Sequence, residues 1–217
     1  MAVIRGSALT NYHQLVAELG GDSSKPPAAV RVSPSDAGSY ERFIALPNGA
    51  HALEDTATAL NAPDFGRQLA RRQGIEILGP VGLAVRTAAT VAEAFAILEK
   101  FMGACCPAIG ARMTDHPDPA RRFEFEYLLT PAPPQAQAVE LSLGVTLRVL
   151  HHFLGTGYRP VSVHLPHQAL VAASAYQHYS GVRRSSVNPL VGSRCAPPTC
   201  RNLCPRITLP SRPPSTI

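Results

Sequence analysis

Apolar residues recur at helical spacing through most of this chain and alternate with polar ones in one short stretch. Leu9, Tyr12, Leu15, Val16 and Leu19 predict a helix over about 7–19, ended by Gly20-Gly21. A second helical region covers roughly 36–60, with an interruption expected at Pro47-Asn48-Gly49 and a break at Asn61-Ala62-Pro63. Asp64 is placed to cap a short helix, FGRQLARRQ, that stops at Gly74. ILGPVGLAVRTAAT reads as a short buried helix. Thr90 and Glu93 then form a capping box ahead of a helix whose stripe is Phe95, Leu98, Phe101, Met102 and Cys105. RFEFEYL sets Phe123, Phe125 and Tyr127 against Glu124 and Glu126, the pattern of a half-buried strand, and IGARM is its hairpin partner. A helix of about 135–154, a short strand PVSVHL and a last helix closing at Gly181 complete the pattern.

Strands and helices are partly segregated along the chain, which predicts an α+β fold: a mainly helical domain with a β-hairpin and an additional short strand. The 217 residues suit one generous domain, and 45% hydrophobic with 16% charged residues is an ordinary globular balance. The net charge of +5 suggests an anionic partner until the chain is divided. Residues 1–182 carry 14 basic and 15 acidic residues, whereas 183–217 carry six arginines and no acid. The body therefore gives no electrostatic reason to expect nucleic acid. The N-terminus lacks an apolar signal-like stretch and no run is long enough to span a membrane, so a cytoplasmic protein with reduced cysteines is expected.

The body shows no phosphate-binding glycine loop, no G-x-S-x-G and no H-E-x-x-H, so no enzyme, metal or cofactor is expected. Glu124 and Glu126 read as a solvated strand face rather than a catalytic pair. His151-His152 suit a helix C-terminus, and Cys105-Cys106 read as small buried hydrophobes. Arg71-Arg72 read as a surface helix face. Arg86, Glu140 and His164 are the polar residues assigned near a ligand pocket, each with a surface or structural role as the competing reading.

NYHQLVAELGGD, then NAPDFGRQLARRQGIEILGPVGLAVRTAATVAEAFAILEKFM, resembles the N-terminal arabinose-binding-type domain of AraC-family transcription regulators. The order continues with the hairpin, QAVELSLGVTLRVL, RPVSVHLPH and AYQHYSG. The most specific part contains Asp64, Phe65, Gly66, Leu69, Gly79 and Pro80, which the resemblance marks as keepers of the fold. It implies a domain that senses an unknown small-molecule effector, often as a homodimer, ahead of a helix-turn-helix domain that contacts DNA. The competing function is a stand-alone binding or interaction module that sequesters related regulators.

The family pattern stops at residue 182. A division follows: 1–182 as the sensing and dimerising domain, 183–217 as a tail, and no helix-turn-helix part, so that DNA contact would run only through that missing part. The tail holds seven prolines, six arginines and three cysteines. Shifting its reading by one base allows strings such as AADLQEPLP, which resemble what the family places there. An out-of-frame tail accounts for most features. A native disordered tail, a basic arm and a zinc site on Cys195, Cys200 and Cys204 are the other readings. Packing of this segment into a core would count against the out-of-frame reading.

Overall fold

The structure is a computed structural model that describes residues 2–22, 32–115, 120–129, 134–181, 184–186 and 206–210. It is α+β and mainly helical, as the pattern predicts. Its centre is α6 (Ala136–Leu154), where 12 of 19 residues are buried. A helix apolar on nearly all sides belongs in the middle of a fold rather than on its surface. Ala138, Leu141 and Val145 enter one core cluster, with α1 (Tyr12–Glu18), α2 (Leu46–Ala59) and α3 (Phe65–Arg71). Val139, Leu143, Val149 and Leu150 enter a second, with α4 (Pro80–Arg86), α5 (Val91–Cys105) and the larger sheet.

Small residues let α3 lie close on α6. A Cβ on Gly66 would stand 2.2 Å from the Gln137 carbonyl oxygen, and one on Gly144 would stand 2.4 Å from the Ala70 Cβ. The Gly66 N–H donates to Gln137 Oε1 at 2.7 Å, so the seam is also hydrogen-bonded. Phe65 and Leu69 are fully buried beside it.

Several helix boundaries differ from the pattern-based reading. The first helix splits into a 3-10 turn, Gly6–Leu9, and α1, because Asn11 adopts a left-handed conformation at φ 65°. Its side-chain amide donates to the Arg72 carbonyl and holds that kink. Pro47 does not interrupt a helix; it lies in the first turn of α2, where its missing N–H is not needed. The preceding residues form β2 (Phe43–Ala45), antiparallel to β1 (Val3–Arg5). Asp64 occupies the N-cap position of α3, but its carboxylate accepts from Gln68 Nε2 at 2.8 Å instead of capping the backbone. The stretch after Gly74 is a 3-10 turn, Ile75–Leu78, and α4, hinged at Gly79 with φ 58° ahead of Pro80.

The Thr90 half of the expected capping box before α5 is formed, the Glu93 N–H donating to Thr90 Oγ1 at 3.1 Å, while the Glu93 carboxylate accepts from the Ala89 N–H, one residue before the cap, at 2.8 Å. Replacing Thr90 by alanine is expected to lower stability by about 1 kcal/mol, read from urea unfolding. A loss indistinguishable from zero would mean that the cap does not hold the helix start.

The hairpin is β3 (Ile109–Asp115) with β4 (Ala120–Tyr127), in a register that sets Ala111 against Phe125 and Met113 against Phe123. Phe123 packs edge-to-face on Phe95 of α5, with centroids 4.6 Å apart. The sheet has more members than the sequence pattern predicts. Its order is β3-β4-β7-β5-β6, with β5 (Ser162–Leu165), β6 (Arg184–Ser186) and β7 (Arg206–Pro210). β6 runs parallel to β5, and β7 runs antiparallel to both β4 and β5.

Two short pieces of the tail thus join the sheet, and Ile207 is 1% exposed within the second core cluster. Cys195, Cys200 and Cys204 lie outside the described residues.

Glu124 is a correction to the solvated face assigned to the hairpin. It is 6% exposed and lies 3.0 Å from Arg112 Nη2 and 3.8 Å from Arg122 Nη1. β7 lies along the open edge of β4, and two arginines pair with this buried carboxylate. α7 (Ala173–Ser180) ends at Gly181 in the left-handed region. Among the described residues no helix is long and apolar enough to cross a membrane.

Candidate functional site

The two core clusters do not close completely against each other. A cavity of about 130 Å³ remains between the hairpin, the N-terminal 3-10 turn, α2, α5 and α6. Its wall is formed by side chains such as Ile4, Leu53, Leu98, Phe125, Leu141 and Val149. The geometry follows from the elements. α6 presents Ala138, Leu141, Ser142, Val145, Thr146 and Val149 to it, mostly small side chains that leave space in front of the hairpin.

A few polar groups interrupt this apolar wall, and most are already engaged. Ser7 Oγ donates to the Ile77 carbonyl at 2.6 Å, Cys105 Sγ to the Leu78 carbonyl at 3.2 Å, and Thr146 Oγ1 to the Ser142 carbonyl at 2.9 Å. The remaining pair is Tyr127 Oη with Ser142 Oγ, 3.2 Å apart. Burial pushes the Tyr127 phenol above its ordinary pKa, with the Ser142 hydrogen bond a smaller opposing effect. Burial pushes the Cys106 thiol up to about 11 and raises Cys105 as well. All three groups are neutral at physiological pH and act as hydrogen-bonding groups rather than as charges or nucleophiles. Arg5 is the cationic residue of the wall; its Nη1 donates to the Tyr40 carbonyl at 2.8 Å and its guanidinium lies over the Phe43 ring.

None of the three residues assigned to a pocket from the sequence lines this cavity. Arg86 is exposed in the last turn of α4. His164 lies on β5, its Nε2 3.1 Å from Ser162 Oγ. Glu140 is buried on the other side of α6, in an ion pair with Arg67 at 2.8 Å, and lines a second, smaller cavity. Cys105 and Cys106 are free, buried thiols, as their neighbours in sequence suggest, but they also line the central cavity. The polar wall residues Ser142 and Thr146 were missed. Their signal is the i, i+4 spacing of two hydroxyls on an otherwise apolar helix. His151 Nε2 reaches the Tyr158 carbonyl oxygen at 3.2 Å in the last turn of α6. Arg72 pairs with Glu18 on the surface, and Arg71 lies over Tyr179. Among the described residues no three His, Cys, Asp or Glu side chains come together as a metal site.

Concave, mostly apolar clefts between packed elements, with a few polar groups, are where small-molecule sites commonly lie. Residues 20–185 match the family described as the arabinose-binding domain of AraC transcription regulators, N-terminal, and the chain belongs to it. It is 30% identical over 183 residues to the HTH-type transcriptional regulator VirS from two strains of Mycobacterium tuberculosis, an alignment covering 83% of this chain and 53% of that one. The chain spans about half the length of these curated relatives. The crystal structure of the transcriptional regulator CdpR from Pseudomonas aeruginosa has the same fold, with a TM-score of 0.52 at 19% identity over 76% of this chain and 53% of that one.

Proposed function

We propose that residues 2–181 are an effector-sensing domain of a transcription regulator and that the central cavity holds the effector. The observation that carries this reading is the partly open apolar cavity between the hairpin and α6, with the Tyr127–Ser142 polar pair on its wall. A dry cavity of about 150 Å³ holds a benzene-sized molecule, so the ligand matched here is a compact apolar ring or short chain with one hydrogen-bonding group. Tyr127 and Ser142 would receive that group. An effector bound between the hairpin and α6 would bias their spacing, and so the arrangement passed to a DNA-binding part. The neutral thiols and phenol support binding rather than catalysis. The residues assigned from the sequence keep subordinate roles in this reading: Arg86 and His164 lie outside the effector site, and Glu140 belongs to the smaller cavity. Asp64, Phe65, Gly66, Leu69, Gly79 and Pro80 build the scaffold.

The test is a cavity-filling variant. Ala138→Leu projects an isobutyl group into the cavity and is expected to abolish saturable binding of small aromatic alcohols, followed by thermal shift or fluorescence. The same variant should keep or raise the melting temperature, since filled cavity volume adds about 24 cal/mol per Å³. Unchanged ligand binding in a folded Ala138→Leu protein would place the effector elsewhere. Self-association is the second part of the reading and rests on the family likeness. Sedimentation of a concentration-independent monomer would remove it.

A further inference from the structure

Behind α6, on the side away from the central cavity, Arg67 is a buried guanidinium with unused donors. Arg67 is 4% exposed, and its Nε faces Glu140 Oε2 at 2.8 Å. Its Nη1 and Nη2 are buried, and among the described residues neither has a hydrogen-bond partner. The guanidinium carbon lies 4.2 Å from the centroid of the Tyr176 ring, which covers one face of the group. Arg67 lines a cavity of about 30 Å³ with Glu140, Leu143, Leu147, Tyr176 and Tyr179.

An unsatisfied buried donor is costly, and two on one cation more so. Glu140 takes only the Nε edge, which leaves the end of the fork open. Arg71 stands 4.9 Å from the Tyr179 ring, and Arg148 donates to the Arg71 carbonyl beside it. His167 Nε2 lies 3.8 Å from Glu140 Oε1 on the opposite side. Burial pushes the Tyr179 phenol up to about 12, so it remains a neutral donor beside the cavity.

We propose that this second cavity binds a small monocarboxylate, whose two oxygens take the Nη1 and Nη2 donors of Arg67. Two coplanar oxygens match the guanidinium fork. The volume accommodates about two water-sized groups, which fits a carboxylate end and excludes a bulky acid. A dianion would need a second buried cation. The bound anion ties Arg67 on α3 to Tyr179 on α7 across α6, and so fastens the terminal helix to the body of the domain. This site is separate from the effector cavity.

Formate is the probe, because it has one proton to observe and no bulk. Saturation-transfer NMR on the full chain at pH 7, at constant ionic strength, is expected to show saturable formate binding. A ligand of three heavy atoms is limited to about millimolar affinity. Acetate should compete, and chloride at the same concentration should not. Arg67→Met with Glu140→Leu removes both charges together and keeps the packing, so a folded double variant should lose the formate signal. Arg67→Lys keeps the charge without the fork and should weaken binding tenfold or more. Ala138→Leu, which addresses the central cavity, should leave formate binding unchanged. Absence of saturation transfer up to tens of millimolar, equal competition by chloride, or unchanged binding in the double variant would each overturn the proposal.

Discussion

Glu140→Leu alone is expected to lower the stability of this domain by about 3–5 kcal/mol, the usual cost of stripping one partner from a buried ion pair. Glu140 is 2% and Arg67 4% exposed, so solvent cannot take over for the lost charge. The Arg67 Nε would lose its partner at 2.8 Å, and among the described residues its other two nitrogens are already without one. Tyr176 would lose the acceptor of its hydroxyl at 2.6 Å, although that hydroxyl still accepts from the Leu170 N–H. The phenol is pushed up to about 12, first by burial and then by the neighbouring carboxylate, so it stays a neutral donor throughout the working range. The double variant Arg67→Met with Glu140→Leu should recover more than half of the loss, because two apolar side chains need no compensation. Urea unfolding of the three proteins at pH 7 decides the matter. Equal losses in the single and double variants would mean that packing, not charge, holds this place.

Gly66→Ala should be nearly as damaging, at about 3 kcal/mol, and should reduce the yield of folded protein. The added methyl would stand 2.2 Å from the Gln137 carbonyl oxygen, and both groups belong to rigid helices. α3 would have to move away from α6, breaking the Gly66 N–H bond to Gln137 Oε1 and exposing the edge of Phe65. Gly103→Ala is the matched control. Nothing lies within 4 Å of the added carbon there, and the position is inside α5. Alanine should stabilise that helix by about 0.5–1 kcal/mol. If both substitutions have the same sign in urea unfolding, close approach is not what Gly66 provides.

The hairpin was legible because its alternation is carried by two phenylalanines at every second position, and both are buried. α6 was legible because its apolar period persists for five turns between Gln135 and Gly155. The family was legible as a resemblance carried by the order of its motifs; among them, Gly66 proves to sit against Gln137. The start of α2 was misread because Pro47 breaks a helix interior but favours a first turn, and only the position of β2 decides which applies.

The candidate site was much less legible. Arg86 and His164 are polar residues in suitable-looking elements, yet one ends on the surface and the other bonds within its own strand. Glu140 is buried, but its partner Arg67 comes from 73 residues earlier, and no local pattern announces that pairing. β7 was unreadable for a related reason. Arg206–Pro210 has little strand character alone, and it acquires one by lying between β4 and β5.

The local pattern of this chain, read alone, determined the central helices, the hairpin and the helical α+β class, because each depends on spacing along one helix or one strand, and the order of its motifs carried the family resemblance. Tertiary structure decided the cavity, the burial of Glu124, the Arg67–Glu140 pair and the place of β7. Each of these is set by which distant segment arrives opposite, and by how closely two rigid elements can approach before small side chains leave a space between them.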